Sequence, residues 1–425
     1  MDIKHLKTFL DSAHSVYHAV AGLVWELEAA GYTCLPENQN WYLSPGGKYY
    51  MTRGGSALVA FRIPEEQPKG FLLSAAHSDR PCFKLKPNGE LKGKYTRLSV
   101  EKYGGMLMAP WLDRPLSVAG RVMVRTDEGV ESRLVDIDRD LLLIPNVAIH
   151  MNREANTGYK WNPAVDLLPL LGSGDAAGKL QALLEAEAGG EILGQDLYLY
   201  LRQNACVWGV EGEYLSAAAL DDLLCAWGCM QGFLTAEDRA SVPVVCIFDH
   251  EETGSQSVQG ADSDLLYSVL NRICSTLNRD LHLMLSRSFM ISADNAHALH
   301  PNHPEYADEN NAPLPGEGVV IKHSASGSYM TDAMGEAVFR SICQKADVPV
   351  QTYCNRGDMP GGSTLGHVSV SQVSVPTVDI GLAQLAMHSC YETAALADVD
   401  YLVRAMTTYY GTTLDFPEDG ICHIM

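Results

Sequence analysis

At 425 residues, with 46% hydrophobic and 20% charged residues, the chain is long enough for a large core and two domains, and its composition is that of a globular protein. A formal charge of −21 argues against nucleic acid or an anionic membrane as partner, because both need basic surface. Eleven cysteines without CxxC spacing, an N-terminus (Met1-Asp2-Ile3-Lys4-His5) lacking the apolar stretch of a signal peptide, and no run of about 18 apolar residues point to reduced thiols and a cytoplasmic location.

In chain order, Leu6, Phe9, Leu10, Ala13, Val16, Val20, Leu23, Val24 and Leu27 recur at helical spacing and predict one amphipathic helix ending before Gly31. Ala57–Ile63 and Phe71–Ala76 read as strands, the second running into His77-Ser78-Asp79. From about Thr96 to Gln195 the pattern changes to short strand-like segments between Gly, Pro and Asp turns: Val118–Arg125, Ser132–Ile137 and Asn146–Ile149. This predicts an inserted β-rich domain over 96–195 within an α/β domain formed by 1–95 and 196–425. Within the insert, Leu171–Gly190 reads as an exposed excursion around a short helix, Lys179–Ala188.

Alternation of strand and helix then resumes. Leu197–Leu201 is a candidate strand, and Asp221-Asp222 opens a helix running to about Phe233. Val242–Phe248 is an apolar, β-branched run, the signature of a buried parallel strand. Ala261–Leu277 is helical, Phe289–Ser292 a strand, Thr331–Ala346 a helix closed by Asp347 and Pro349, Val375–Ile380 a strand, and Glu392–Thr408 the final helix.

Acidic and imidazole side chains recur just after strands: His77, Asp221, Glu251 and Glu252, Asp294, and His388. In open α/β sheets chemistry collects beyond the carboxyl ends of strands, so residues far apart in sequence converge there. Histidine and carboxylate without thiolate suit Zn²⁺, Mn²⁺ or Co²⁺. A carboxylate shared between two ions, about 3.5–4 Å apart, suits a two-metal hydrolytic site. Glu251 and Glu252 are adjacent, so on extended backbone they point to opposite sides, one to a metal and the other to substrate as general base. Asp79, two residues after His77, is placed to orient the imidazole or assist the base.

Other patterns carry less. His297, His300 and His303 repeat every three residues, but Pro301 and Pro304 break any helix there, which favours a structured loop. Gly357–Gly366 lacks a Walker lysine, and no Gly-x-Ser-x-Gly elbow is present.

The segments Ser74–Cys82, Ala219–Leu223, Phe248–Ser255, Ser292–His297 and Leu385–Ser389, in this order and spacing, resemble the M18 metallopeptidases, the aspartyl aminopeptidase family. Val100–Gly105, Trp111–Arg114 and Ile144–His150 match as well, and the resemblance runs from the first helix nearly to the C-terminus. It implies an α/β zinc-peptidase-like domain, a mixed central sheet flanked by helices, with an inserted β-rich dimerisation domain. It also implies dimer-based assembly into a tetrahedral dodecamer.

By motif, the metal ligands would be His77, Asp221, Glu252, Asp294 and His388, with Asp221 bridging two ions and Asp222 the weaker choice for that role. Glu251 would be the general base, supported by Asp79. His150 would reach a neighbouring subunit's site, and Lys322 with Tyr329 would contact substrate.

Two departures bear on specificity. The usual Arg-Asn-Asp reads Arg356-Gly357-Asp358, with Gly361 rather than Cys after Pro360, and Tyr391 replaces an Arg before Glu392. The function implied is an aminopeptidase releasing N-terminal Asp or Glu from peptides. A broader aminopeptidase, another two-metal amidohydrolase such as a deacylase, and a non-catalytic shell protein are the alternatives.

Overall fold

The computed structural model describes residues 1–359 and 361–425; Pro360, part of one of the two departures, lies outside them. Val242–Phe248 forms a strand buried along its whole length, and so does its neighbour Phe71–His77. Continuous apolar runs are what strands covered on both faces require. The two are parallel, in a register that sets Phe248 against His77. Phe289–Ala293 pairs parallel on the far side of Phe71–His77, and Thr377–Gly381 pairs parallel beyond that.

These four strands are the centre of a nine-stranded sheet. Its order is Thr33–Cys34, Lys48–Arg53, Ala57–Arg62, Val242–Phe248, Phe71–His77, Phe289–Ala293, Thr377–Gly381, Val319–His323, Val350–Cys354. The sheet is mixed, because Ala57–Arg62 and Val319–His323 run antiparallel to their inner neighbours. Four adjacent parallel strands therefore release the chain at one edge, where the residues after His77, Phe248 and Ala293 meet.

Helices cover both faces. One face carries Ile3–Ser12, Val16–Ala29, Leu220–Thr235, Ala333–Ala346 and Leu396–Tyr410, the other Leu265–Thr276 and Leu365–Gln372. Leu220–Thr235 and Leu396–Tyr410 approach closely at Gly232, where a methyl group would meet backbone atoms of Met406 and Thr407 at 2.9 Å. This fixes the helix that begins beside Asp221.

A second sheet has six strands in the order Gly129–Asp136, Leu116–Thr126, Ile192–Leu201, Cys82–Leu91, Tyr95–Tyr103, Leu170–Ser173. It has its own core, with Phe83 edge-on to Trp111 at 5.2 Å. Its strands span residues 82–201, wider than the 96–195 of the expected insert. A five-stranded sheet, Cys206–Trp208, Tyr214–Ala217, Glu392–Ala395, Ala383–Leu385 and Ala296–His297, backs the site. Among the described residues no helix is long and apolar enough to cross a membrane.

Several local expectations are corrected. The first helix is two, Ile3–Ser12 and Val16–Ala29, with Ser15 capping the second. The apolar stripe continues through the break, so periodicity alone hides it. Arg80 occupies the gap, donating to the carbonyls of Ala13 (2.7 Å) and His14 (2.5 Å). Asn146–Ile149 is not a strand: its backbone is held by Asp113, which accepts from the Asn146 N–H (2.9 Å) and side-chain amide (2.8 Å). The excursion around Lys179–Ala188 is anchored, since Leu180, Leu184 and Ala188 enter the second core. Glu392–Ala395 is a strand, and the final helix begins only at Leu396.

Candidate metal and catalytic site

At the edge of the nine-stranded sheet, side chains form three overlapping groups: His77, Asp221 and Asp294; Asp221, Glu252 and His388; and His77, Glu251 and Glu252. Within each group the ligand atoms lie within 4.8 Å of one another, and Asp221 belongs to two of them. Buried carboxylates at such spacing repel unless a proton or a cation lies between them. Asp221 Oδ1, Asp222 Oδ1 and Glu252 Oε1 are buried with no hydrogen-bond partner. Of these, Asp221 and Glu252 stand in the ligand groups beside imidazoles, and those groups, which hold no thiolate, fit a divalent cation of the zinc, manganese or cobalt kind.

Backbone and carboxylate partners orient the imidazoles. His77 Nδ1 lies 3.2 Å from the Asp79 carbonyl and 3.3 Å from its Oδ1, which turns Nε2 toward Asp221 Oδ1 at 3.7 Å. His388 Nδ1 lies 2.6 Å from the Gly105 carbonyl, which turns its Nε2 toward Asp221 and Glu252, each at 3.4 Å. Holding one ring nitrogen as donor leaves the other free to ligate. Gly105 follows the Tyr95–Tyr103 strand, so the second sheet supplies this partner. Gly104, at φ 72°, passes so close that a side chain there would crowd Glu252 Cβ at 3.1 Å.

Asp79 organises backbone as well as the imidazole. Its oxygens accept from the N–H groups of Glu251 (3.1 Å) and Glu252 (3.2 Å) and from the Tyr103 hydroxyl (2.6 Å). It thereby pins the turn on which both glutamates sit. That turn corrects the extended-backbone argument. His250 enters the left-handed region at φ 61°, and Glu251–Thr253 is a single 3₁₀ turn. Both glutamates therefore reach His77, and Glu252 also reaches Asp221 and His388.

Burial dominates the proton affinities. It pushes Glu251 up to about 8, His77 opposing while Asp294 and Asp79 add to the rise. It raises Glu252 and Asp222 well above the carboxylate range. Burial alone would depress His77, but the Asp79 hydrogen bond and nearby carboxylates outweigh it and hold the ring well above its ordinary value. His388 is raised in the same way by Asp221.

Of the substrate candidates, Lys322 is buried; its Nζ donates to the carbonyls of Asp294 (2.6 Å) and Asn295 (3.2 Å) and stands 3.5 Å from Asp294 Oδ2. It lies 5.1 Å from the centre of the Tyr329 ring, and Tyr329 packs on Tyr353. His150 is exposed and outside all three ligand groups. His297, His300 and His303 form no ligand group among the described residues; with Tyr353, Arg356 and Met387 they line a cavity of about 310 Å³ that begins three residues after Asp294. Arg356 is paired with Asp358 at 2.6 Å, and the Tyr391 hydroxyl donates to the Asn204 carbonyl at 2.9 Å.

Sequence reasoning missed Tyr103 and Glu392, and named Asp222 only as the weaker candidate for the bridging role. Asp222 accepts from the His77 N–H at 3.2 Å, and Glu392 binds two loop amides. Tyr103 lay within a matched motif, whereas Glu392 was masked by being read as helix.

Imidazoles and carboxylates able to hold divalent ions, beside a glutamic acid raised toward neutrality, define a metal-dependent hydrolase. The family model for the aminopeptidase I zinc metalloproteases (M18) matches residues 9–410. A probable M18 family aminopeptidase 2 of Ectopseudomonas mendocina is 40% identical over 422 residues, 96% of this chain and 98% of that protein. One from Clostridium novyi is 40% identical over 421 residues, 95% and 97% of the two chains. Among solved structures, Ape4 in its complex with Nbr1 superposes with a TM-score of 0.93 at 34% identity, covering 96% of this chain and 84% of that one. The mApe1 dodecamer of S. cerevisiae gives 0.85 at 27% identity, covering 96% of each. The chain belongs to the M18 family and is a metallo-aminopeptidase, a hydrolase of peptide bonds.

Proposed function

We propose that this aminopeptidase works with two divalent ions, zinc first and manganese or cobalt as alternatives, and prefers peptides that begin with Asp or Glu. The observation that carries the two-ion reading is Asp221, which is shared between the His77–Asp294 group and the Glu252–His388 group. His77 and Asp294 would hold one ion, Glu252 and His388 the other, with Asp221 between. When bound, such ions polarise the scissile carbonyl, acidify the attacking water and keep the surrounding carboxylates ionised. Glu251 takes the proton from that water and returns it to the departing amine nitrogen. Asp79 keeps Glu251 in place through its backbone N–H.

The acidic preference rests on the family resemblance and on two cationic side chains near the site: Lys322 against Tyr329, and Arg356 at the adjoining cavity. A broader aminopeptidase is the second reading, because Lys322 Nζ already serves Asp294 and two carbonyls. The mApe1 dodecamer supports dodecameric assembly, and the free thiols and negative charge support a cytoplasmic location. By the family resemblance, the β-rich domain would make the dimer and His150 would complete a neighbour's site.

One experiment tests chemistry and preference together. The zinc-loaded protein and its Glu251→Gln variant are assayed on aminoacyl substrates with acidic, neutral and basic first residues. The variant should keep its metal and lose at least about 100-fold in kcat. Wild-type kcat/KM should favour Asp and Glu over Asn and Gln by about 10-fold or more, the scale of one charge-assisted hydrogen bond. Faster turnover of Leu or Met substrates would leave the broader reading.

A further inference from the structure

Glu392 is a buried carboxylate, 1% exposed, that belongs to none of the ligand groups. Its Oε2 accepts from the backbone N–H of Asp221 at 3.0 Å, and its Oε1 from the backbone N–H of His388 at 2.7 Å. The two loops it joins follow the strands on either side of its own. Glu392 begins the strand Glu392–Ala395, which pairs on one side with Tyr214–Ala217, leading into Asp221. On the other side it pairs with Ala383–Leu385, leading into His388.

Both loops hold non-glycine residues in the left-handed region: Ala219 at φ 59°, Ala386 at φ 56° and His388 itself at φ 66°. Such conformations persist only where the surroundings over-determine them. A carboxylate suits the task because it is acceptor-only on both oxygens. An amide in its place would offer one acceptor and turn a donor against the second N–H.

We propose that Glu392 is a positioning residue for the metal site, one buried carboxylate that fixes, through two backbone amides, the loops bearing Asp221 and His388. The proposal rests on the two-ion reading given above. Glu392 lies outside the ligand groups, and each of its oxygens holds a backbone N–H, so the role assigned to it is to hold the ligand-bearing loops rather than to ligate. Its influence is on ligand geometry: with the amides released, the Asp221 carboxylate and the His388 imidazole no longer converge on one point, although each side chain is still present.

The test uses the full-length protein stripped of metal and titrated with Zn²⁺ and Co²⁺. Wild type is measured first. If it binds neither ion, the two-ion reading fails and the proposal with it. Given wild-type binding, Glu392→Gln should raise the apparent dissociation constants about 10- to 100-fold, the usual scale for groups that orient metal ligands. It should also change the shape of the Co²⁺ visible spectrum and lower kcat with KM within about 2-fold of wild type. Glu392→Asp, which keeps the charge but shortens the reach, should move each quantity in the same direction by less.

A variant with a lower metal-free melting midpoint but wild-type metal affinity and Co²⁺ spectrum would overturn the proposal, because that is what a merely structural residue does. Should neither variant fold, hydrogen exchange of the metal-free wild type decides. Protection of both the Asp221 and His388 amides is expected, and rapid exchange at either overturns the clamp.

Discussion

Lys322 keeps its charge in the interior, with 2% of its surface exposed, because everything it touches accepts or balances that charge. Burial alone would favour the neutral amine, but Asp294 together with Tyr329 and Asp379 outweighs it and holds the ammonium form above the ordinary lysine range. The two carbonyls it binds belong to Asp294 and Asn295, so the same lysine braces the backbone from which a candidate ligand projects. Removing one member of a buried, hydrogen-bonded pair strands the other. Lys322→Met should therefore lower the stability of the metal-free protein by about 3 kcal/mol, read as a lower denaturant midpoint at unchanged m-value. It should also shrink the preference for acidic over neutral first residues. An unchanged midpoint would mean that Asp294 does not depend on Lys322, and would leave the lysine to substrate alone.

The second helix, Val16–Ala29, shows how an element's surroundings set its response to pH. His18 lies in its first turn, with its Nδ1 2.8 Å from the Ser15 hydroxyl, and burial pulls it down from 6.5 to about 4; Asp136 opposes this, while His14 and Arg80 add to it. Between pH 6.5 and about 4 the unfolded chain takes up a proton at this position and the folded chain does not, so stability falls as pH falls through that window. The full effect is at most about 3 kcal/mol. His18→Gln should flatten the acid side of the wild-type curve of melting midpoint against pH, and parallel curves for the two proteins would refute the assignment.

What was legible in the sequence divides along the same physical lines. Val242–Phe248 and Phe71–His77 are legible because a strand buried on both faces is an unbroken apolar run. The residues that follow them stand out as ionisable groups placed abruptly after such runs. The break at Ala13–Ser15 is not legible, because it is filled from outside by Arg80, 67 residues from Ala13. Glu392 is not legible for a related reason: its role is set by two backbone amides on separate loops, and four residues of strand before a helix carry no periodicity of their own. The turn at Glu251 hangs on the left-handed backbone of His250, which a histidine does not announce.

At the scale of the whole molecule, the two sheets are coupled through the site rather than merely joined in sequence. The hairpin end at Tyr103–Gly105 supplies a hydroxyl to Asp79 and a carbonyl to His388, so a shift of the six-stranded sheet would be felt at both. The same sheet's long connection, residues 137–169, leaves Val147, Ile149 and Met151 exposed around His150. Apolar side chains on an outward-facing loop are what a subunit interface buries. If His150 serves a neighbour's site across a two-fold axis, each subunit lends a part and borrows the same part. His150→Ala and Asp294→Asn should then each be inactive alone. Unfolded together and reassembled, random pairing makes half the dimers mixed, and in each of these one site has both its ligands and a borrowed His150. About a quarter of wild-type activity should return, with substrate saturating and metal in excess. The subunit mixture should show it at the elution volume of the assembly, while wild-type protein diluted to monomer shows none. A mixture as inactive as its components, or an active monomer, would confine His150 to its own chain.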